Sequence, residues 1–320
     1  MVGNLKNLIV LVGPTAIGKT KLAINLARYF DTHIFSADSR QFYKELNIGT
    51  AAPTEAERKL AKHFFAGNLS IHDNYNVSRY ENEALKFADE LFIDKDFIVV
   101  AGGSGMYIDA LCKGIDDMPD FNLSIREEIE IQFQQKGIEF LREKLTQLDP
   151  EYFEIVDKDN PNRMKRAIEV CVQTGKTFTS FRVRSPRPRS FGIIKVGINR
   201  PREELFRNIN LRTDAMIENG LLDEVKALLP FRDLNALNTV GYKEIFQFLD
   251  GDVTLQQAIE NIKTNTRRYA KRQLTWFKRD KEIRWFLPEN FDEIVDYINE
   301  TGLKSHSLSA SWRRCTDNIF

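Results

Sequence analysis

The sequence predicts an α/β fold, a parallel sheet doubly wound with helices and interrupted by a helical insertion. Three observations lead there. Strands alternate with helices through the first third of the chain, two glycine-rich turns fall at strand ends, and the middle of the chain has no strand character. Leu8-Ile9-Val10-Leu11-Val12 is a continuous apolar run suited to a strand buried on both faces. Lys21 to Phe30 places Leu22, Ala23, Leu26, Ala27 and Phe30 on one helical face. His33 to Asp38 reads as a short second strand ending in a carboxylate. Ser78-Arg79-Tyr80-Glu81 reads as a capping box opening a helix with Ala84, Leu85, Ala88, Leu91 and Phe92 inward. Phe97 to Ala101 is a third strand, ended by the turn Gly102-Gly103-Ser104-Gly105. From Gly114 onward only helices follow: Ile125 to Gln135, another after Gly137, and a third opening at Pro161 and stopping near Gly175. Ser185-Pro186-Arg187-Pro188-Arg189-Ser190 is a basic hinge, and strand character returns at Gly192 to Ile198. Beyond it, Pro201 starts a helix that ends near Gly220, Thr254-Leu255-Gln256-Gln257 is a capping box, and Ile283 to Phe286 a last strand. The expected partition is a catalytic core from 1–113 and 192–304 with a helical C-terminal part, a helical insertion from 114–191, and a disordered Ser- and Arg-rich tail from 305–320.

Bulk properties exclude several classes. No apolar run approaches the ~20 residues a bilayer-spanning helix needs. The first strand begins so early that a signal peptide is not expected, and a cytoplasmic location is. Cys112, Cys171 and Cys315 are odd in number and scattered, which suits a reducing compartment and offers no disulfide framework. The four histidines lack metal-ligand spacing. A net charge of zero gives no global attraction to nucleic acid, so any such partner must be met by local clusters. No coiled coil or apolar stripe asks for a dimer, and a monomer is expected.

Chemistry concentrates at strand ends. Gly13-Pro14-Thr15-Ala16-Ile17-Gly18-Lys19-Thr20 matches the phosphate-loop pattern, and it sits between a strand and a helix as that pattern requires. Its glycines let backbone N–H groups converge on a polyphosphate at a helix N-terminus. Lys19 supplies a mobile cation and Thr20 a hydroxyl for Mg²⁺. The fold class is therefore P-loop NTPase-like. Asp38 follows the second strand within Ser36-Ala37-Asp38-Ser39-Arg40-Gln41; it either orients Mg²⁺ or a nucleophile, or caps a helix N-terminus. The Gly102 turn lets backbone approach a ligand closely, or is only a tight connection. Ligands on such sheets bind at the carboxyl ends of strands, so Thr15, Asp38 and Ser104 should share one crevice. The run Asn265 to Arg279 alternates Lys and Arg with Tyr269, Trp276 and Phe277, a mixture suited to RNA or to a basic helix with buried aromatics. Asn162-Arg163-Met164-Lys165-Arg166 and Arg182 to Arg189 add two basic stretches. The missing Asp-Glu strand end and guanine motif argue against a motor ATPase or switch GTPase. An ATP-binding small-molecule or nucleotide kinase, and a non-catalytic RNA-binding nucleotide sensor, stay open on these residues alone.

Taken together the segments resemble the bacterial tRNA dimethylallyltransferases, or tRNA isopentenyltransferases. The resemblance is carried by the phosphate loop, Asp38-Ser39-Arg40-Gln41, Gly102 to Tyr107, Asn162 to Ala167, Val240-Gly241-Tyr242-Lys243-Glu244 and Lys271-Arg272-Gln273-Leu274-Thr275-Trp276-Phe277, in the family's order up to about residue 280. Ile17 stands where the loop often has Ser, and Ser104 where the turn often has Thr. The Cys/His zinc element of eukaryotic relatives is absent. The resemblance implies transfer of a dimethylallyl group from dimethylallyl diphosphate to N6 of the adenosine 3′ to the anticodon in tRNA, with Mg²⁺. It implies Asp38 as proton acceptor, with Thr15, Lys19 and Arg212 completing the catalytic set. It implies tRNA contacts from Asp38, Ser39, Arg40, Gln41, Ser104, Arg126, Asn162, Arg163, Met164, Lys165, Arg166, Lys271, Arg272, Gln273, Thr275, Trp276 and Lys278.

Overall fold

The computed structural model describes residues 6–120, 122–182 and 186–316, with side chains of the last helix described as far as Leu303. In chain order the elements are β1 (Asn7–Val12), α1 (Lys19–Tyr29), β2 (Ile34–Ser36), α2 (Glu55–Leu60), β3 (His63–Phe64), α3 (Val77–Leu91), β4 (Phe97–Gly102) and α4 (Gly105–Lys113). Then follow α5 (Leu123–Leu148), α6 (Pro150–Ile155), α7 (Pro161–Thr174), β5 (Gly192–Ile198), α8 (Arg202–Glu218), α9 (Leu221–Ala227), α10 (Tyr242–Leu249), α11 (Leu255–Phe277), β6 (Arg284–Phe286) and α12 (Phe291–Thr316). The chain divides into two compact units, 1–112 with 189–320, and 113–188.

In the first unit six strands form one sheet in the order β3-β2-β4-β1-β5-β6, and every pairing is parallel. The central strand β1 shows why. Leu8, Val10 and Val12 pack into one apolar cluster while Ile9 and Leu11 pack into another, so the strand is buried on both faces. The helices that cover those faces leave the carboxyl ends of β1, β2 and β4 facing the same side. Gly102 permits the closest crossing there, since a Cβ on it would lie 2.2 Å from the Ala37 carbonyl oxygen.

The second unit has its own core of Ile129, Leu141, Leu145, Tyr152, Met164, Ala167 and Ile168. Gly137, at φ 71°, breaks α5 into the two segments read from the sequence. Glu169, 2% exposed, gathers this unit by accepting hydrogen bonds from the Asn122 amide and the Arg126 and Arg166 guanidiniums at 3.0–3.1 Å.

Some local expectations change. The N-cap of α3 is Asn76, whose Oδ1 accepts from the Arg79 amide at 2.8 Å, so Ser78 falls inside the first turn. Glu81 does not cap the helix either. It is buried and takes the Arg189 guanidinium at 2.6 Å. Arg189 also donates to the carbonyls of Ala110 and Leu111, fastening the chain where it returns to the sheet unit. The strand β3 is two residues long, too short to leave a periodic signal. Helix α12 continues to Thr316, into the stretch read as a disordered tail, and 317–320 lie outside the described residues. So do residues 183–185, which include Ser185 of the expected hinge and part of the basic stretch from Arg182. No helix among the described residues is long and apolar enough to cross a membrane.

Removing one partner of a buried ion pair strands the other charge. Glu81→Ala is expected to lower unfolding free energy by ~3–5 kcal/mol in urea denaturation; an unchanged midpoint would show that Arg189 finds another acceptor.

Candidate active site

A cleft of about 890 Å³ opens at the carboxyl ends of the strands, lined by residues of the Thr15–Lys21 segment, by Asp38 and Gln41, and by Arg212. The loop between β1 and α1 turns through Gly18, whose φ of 102° is left-handed and places it as the N-cap of α1. Lys19 folds back so that Nζ donates to the carbonyls of Gly13 at 2.9 Å and Pro14 at 2.8 Å. Burial pulls its amine down to about 8; Arg212 pulls the same way and Asp38 opposes both. Arg212, on α8, donates to the Thr15 hydroxyl at 2.6 Å. Burial lowers its affinity for its proton also, though a guanidinium keeps its charge. Two desolvated cations thus face one carboxylate, Asp38, and a bound anion would complete the balance.

Asp38 stands at the end of β2, and its Oδ1 accepts the Arg40 amide at 3.1 Å. A turn follows it, with no helix, so the N-cap alternative falls away. Ser104 joins this turn to the end of β4: its Oγ accepts the Ser39 amide at 2.9 Å and lies 3.2 Å from the Ser39 hydroxyl. Gln273 makes the third connection. Its Oε1 accepts the Thr15 amide at 2.9 Å and its Nε2 donates to the Gly103 carbonyl at 2.9 Å. A side chain on Gly103 would collide with it, a Cβ lying 2.0 Å from that nitrogen. Thr15 and Asp38 line one cleft, as strand-end logic predicts, while Ser104 is outside its lining and joins the Asp38 turn through Ser39.

The residues expected to meet RNA divide sharply. On α11, Lys271, Arg272 and Thr275 are exposed, as is Lys278 just past its end, and on α7 so are Asn162 and Arg163. Two expectations are corrected. Met164 is 0% exposed, because it shares the inward stripe of α7 with Ala167, Ile168 and Cys171. Gln273 is 5% exposed, and both ends of its amide are used inside the protein. Others are engaged by protein groups. Arg40 donates to the carbonyls of Asn235, Ala236 and Asn238, and Gln41 to those of Thr50 and Ala51. Lys165 pairs with Glu130 at 2.7 Å, while Arg126 and Arg166 turn to Glu169. The Trp276 indole donates to Asp109 at 2.9 Å and lies against Gly105.

Sequence reasoning missed the segment from Asn47 to Arg58, which supplies one whole wall of the cleft, and His63 beside it. Only the absence of helical or strand periodicity between β2 and α2 hinted that these residues bend around something.

The protein resembles known ones over nearly its full length. A model of the family described as IPP transferase matches residues 41–280. A tRNA dimethylallyltransferase 1 from Bacteroides thetaiotaomicron is 51% identical over 291 residues, covering 91% of this chain and 94% of that protein. One from Flavobacterium johnsoniae is 48% identical over 308 residues, covering 94% and 99%. Among solved structures, the tRNA isopentenylpyrophosphate transferase of Bacillus halodurans aligns with a TM-score of 0.69 at 31% identity, covering 96% of this chain and 99% of that one.

The lowered Lys19 amine sets a pH dependence. Below about 8 it is charged and ready for an anion; above, anion binding must first take up a proton. Pyrophosphate affinity, measured by titration calorimetry, is expected to fall about tenfold per pH unit above that point relative to Lys19→Met. Parallel profiles for the two proteins would remove Lys19 from the anion site.

Proposed function

The chain belongs to the IPP transferase family, and from that premise we propose how its cleft transfers a dimethylallyl group to tRNA, the reaction for which its relatives are named. The P-loop NTPase-like sheet is the frame, and the kinase alternative is set aside by that membership. The observation that carries the reading is the meeting of Lys19, Arg212 and Thr15 with Asp38 across a single cleft.

The donor is dimethylallyl diphosphate, and the acceptor is N6 of the adenosine 3′ to the anticodon. The loop amides, Lys19 and Arg212 hold the diphosphate as a leaving group, so no nucleotide needs to be hydrolysed. As the C1–O bond breaks, its electron pair goes to the departing diphosphate. A preorganised donor aimed at such developing charge contributes ~3 kcal/mol of transition-state stabilisation. The C1–N6 bond forms, and the proton lost from N6 passes to the Asp38 carboxylate. Adenine's amine is a weak nucleophile because its lone pair is delocalised, so orienting it matters as much as accepting its proton. To reach the cleft the base leaves its stack, which costs a few kcal/mol that tRNA contacts must offset. The exposed cations Lys271 and Arg272 on α11, Lys278 just past its end, and Arg163 on α7, suit that role.

Mg²⁺ fits the donor set. Thr20 lines the cleft next to Lys19, and no cluster of three His, Cys or carboxylate groups occurs among the described residues. A single hydroxyl plus phosphate oxygens is how a hard, largely hydrated ion is held. When bound it would neutralise charge on the diphosphate. We propose a cytoplasmic monomer, on the scattered cysteines and the lack of a coiled coil or apolar stripe in the sequence.

Incubation with labelled dimethylallyl diphosphate and tRNA, without ATP, is expected to label the tRNA, as read by mass spectrometry of its nucleosides; strict dependence on ATP would overturn the reading. Asp38→Ala is expected to lower kcat by about 10²–10⁴ while tRNA affinity stays within a few-fold. Retained turnover would reduce Asp38 to its turn-forming hydrogen bond.

A further inference from the structure

The wall of the cleft from Asn47 to Ala51 is held around one carboxylate. Glu224, on α9, accepts four hydrogen bonds. Its Oε2 takes the amides of Asn47 at 3.0 Å and Ile48 at 2.8 Å, and its Oε1 takes the Gly49 amide at 3.0 Å and the Tyr242 hydroxyl at 2.7 Å. Tyr242, on α10, is 0% exposed, and its ring lies so close that a Cβ on Gly49 would stand 2.5 Å from it. Burial and the Glu224 carboxylate push the phenol far above its ordinary range, so it stays a donor. Three consecutive amides held by one side chain leave the loop a single conformation.

That loop faces a graded surface. Asn208, Arg212, Ala215, Met216 and Asn219 all line the cleft from one stripe of α8. The stripe changes from a cation at Arg212 to apolar surface at Ala215 and Met216 one turn later. The clamped loop brings Ile48 and Ala51 to the same cleft, Ile48 lying near Gly220 just beyond α8. A ligand whose anionic head meets Arg212 therefore has apolar walls available for a short hydrocarbon tail.

We infer that Glu224, braced by Tyr242, is a positioning residue that fixes the Asn47–Ala51 wall and thereby sets the length of allylic chain the cleft accepts. This rests on the donor assignment above. Neither side chain need touch the reacting atoms. Their effect is on the depth of the pocket between Ile48, Ala51 and Met216, and so on ground-state binding of the donor.

The test compares wild type, Glu224→Gln and Tyr242→Phe with dimethylallyl diphosphate and its ten-carbon homologue geranyl diphosphate, each with full tRNA. In Glu224→Gln the amide nitrogen faces N–H donors and the loop is released. Its KM for dimethylallyl diphosphate is expected to rise about tenfold or more with kcat within a few-fold, and its preference for the shorter donor to fall. Tyr242→Phe keeps the carboxylate and loses one hydrogen bond, so it is expected to shift the same two quantities by a smaller factor. Thermal unfolding identifies a variant that fails to fold, in which case the conservative Tyr242→Phe alone decides. A folded variant with unchanged KM and donor preference, or one impaired only in kcat, overturns the inference. If wild type itself transfers no prenyl group, the donor assignment fails instead.

Discussion

The side-chain amide of Gln273 joins the two loops that leave the neighbouring paired strands β1 and β4. It receives the Thr15 amide from the end of β1 and gives a hydrogen bond to the Gly103 carbonyl beyond β4, at 2.9 Å in both directions. A carboxamide is the one uncharged side-chain group that offers an acceptor and a donor side by side. Being buried, it leaves no polar atom unpaired and adds no net charge to a cleft meant for an anion. Ser104 makes the corresponding link between β4 and the Asp38 turn. The Gly13–Thr20 loop, the Asp38 turn and the glycine turn are thus held at fixed separation by two short polar links, with the parallel sheet behind them.

Electrostatics then follow from geometry. Lys19 and Arg212 are drawn out of water around one carboxylate, and burial dominates the response of both. Two buried cations set against one carboxylate leave an excess of positive charge in the cleft. The Lys19 amine rests meanwhile on the carbonyls of its own loop, which keep its hydrogen-bonding capacity partly used. Charge on the insertion unit is handled differently. There Glu169 absorbs two arginines, so basic residues close in sequence serve internal order, while Arg163 stays exposed.

Much of the fold was legible. The apolar run of β1, the strand ends at Asp38 and Gly102, the helical insertion and the glycine breaks at Gly137 and Gly175 are all local signals, and the structure has each of them. The phosphate loop was legible because its glycine spacing and flanking elements have a direct geometric cause. Less legible was the direction in which side chains point on basic helices. Met164 and Gln273 sit among lysines and arginines in sequence, yet both are inside, since a helix turns about 100° per residue and its neighbours in sequence lie on different faces. The α3 cap also escaped, because Asn76 and Ser78 both suit an N-terminus and only packing chose between them.

By itself the sequence determined the order of the longer strands and helices, the glycine-rich turn between β1 and α1, and a set of motifs similar to one family, for these depend on residue type and short spacing. It did not determine that Gln273 would bridge residues 258 and 170 positions away, or that Glu224 would gather the amides of Asn47, Ile48 and Gly49. Those are decided by the tertiary structure. A hydrogen bond to a backbone amide reads no side-chain identity in its partner, so it leaves no pattern in the partner's sequence and exists only once the sheet and the helices beside it have brought the two segments within about 3 Å of one another.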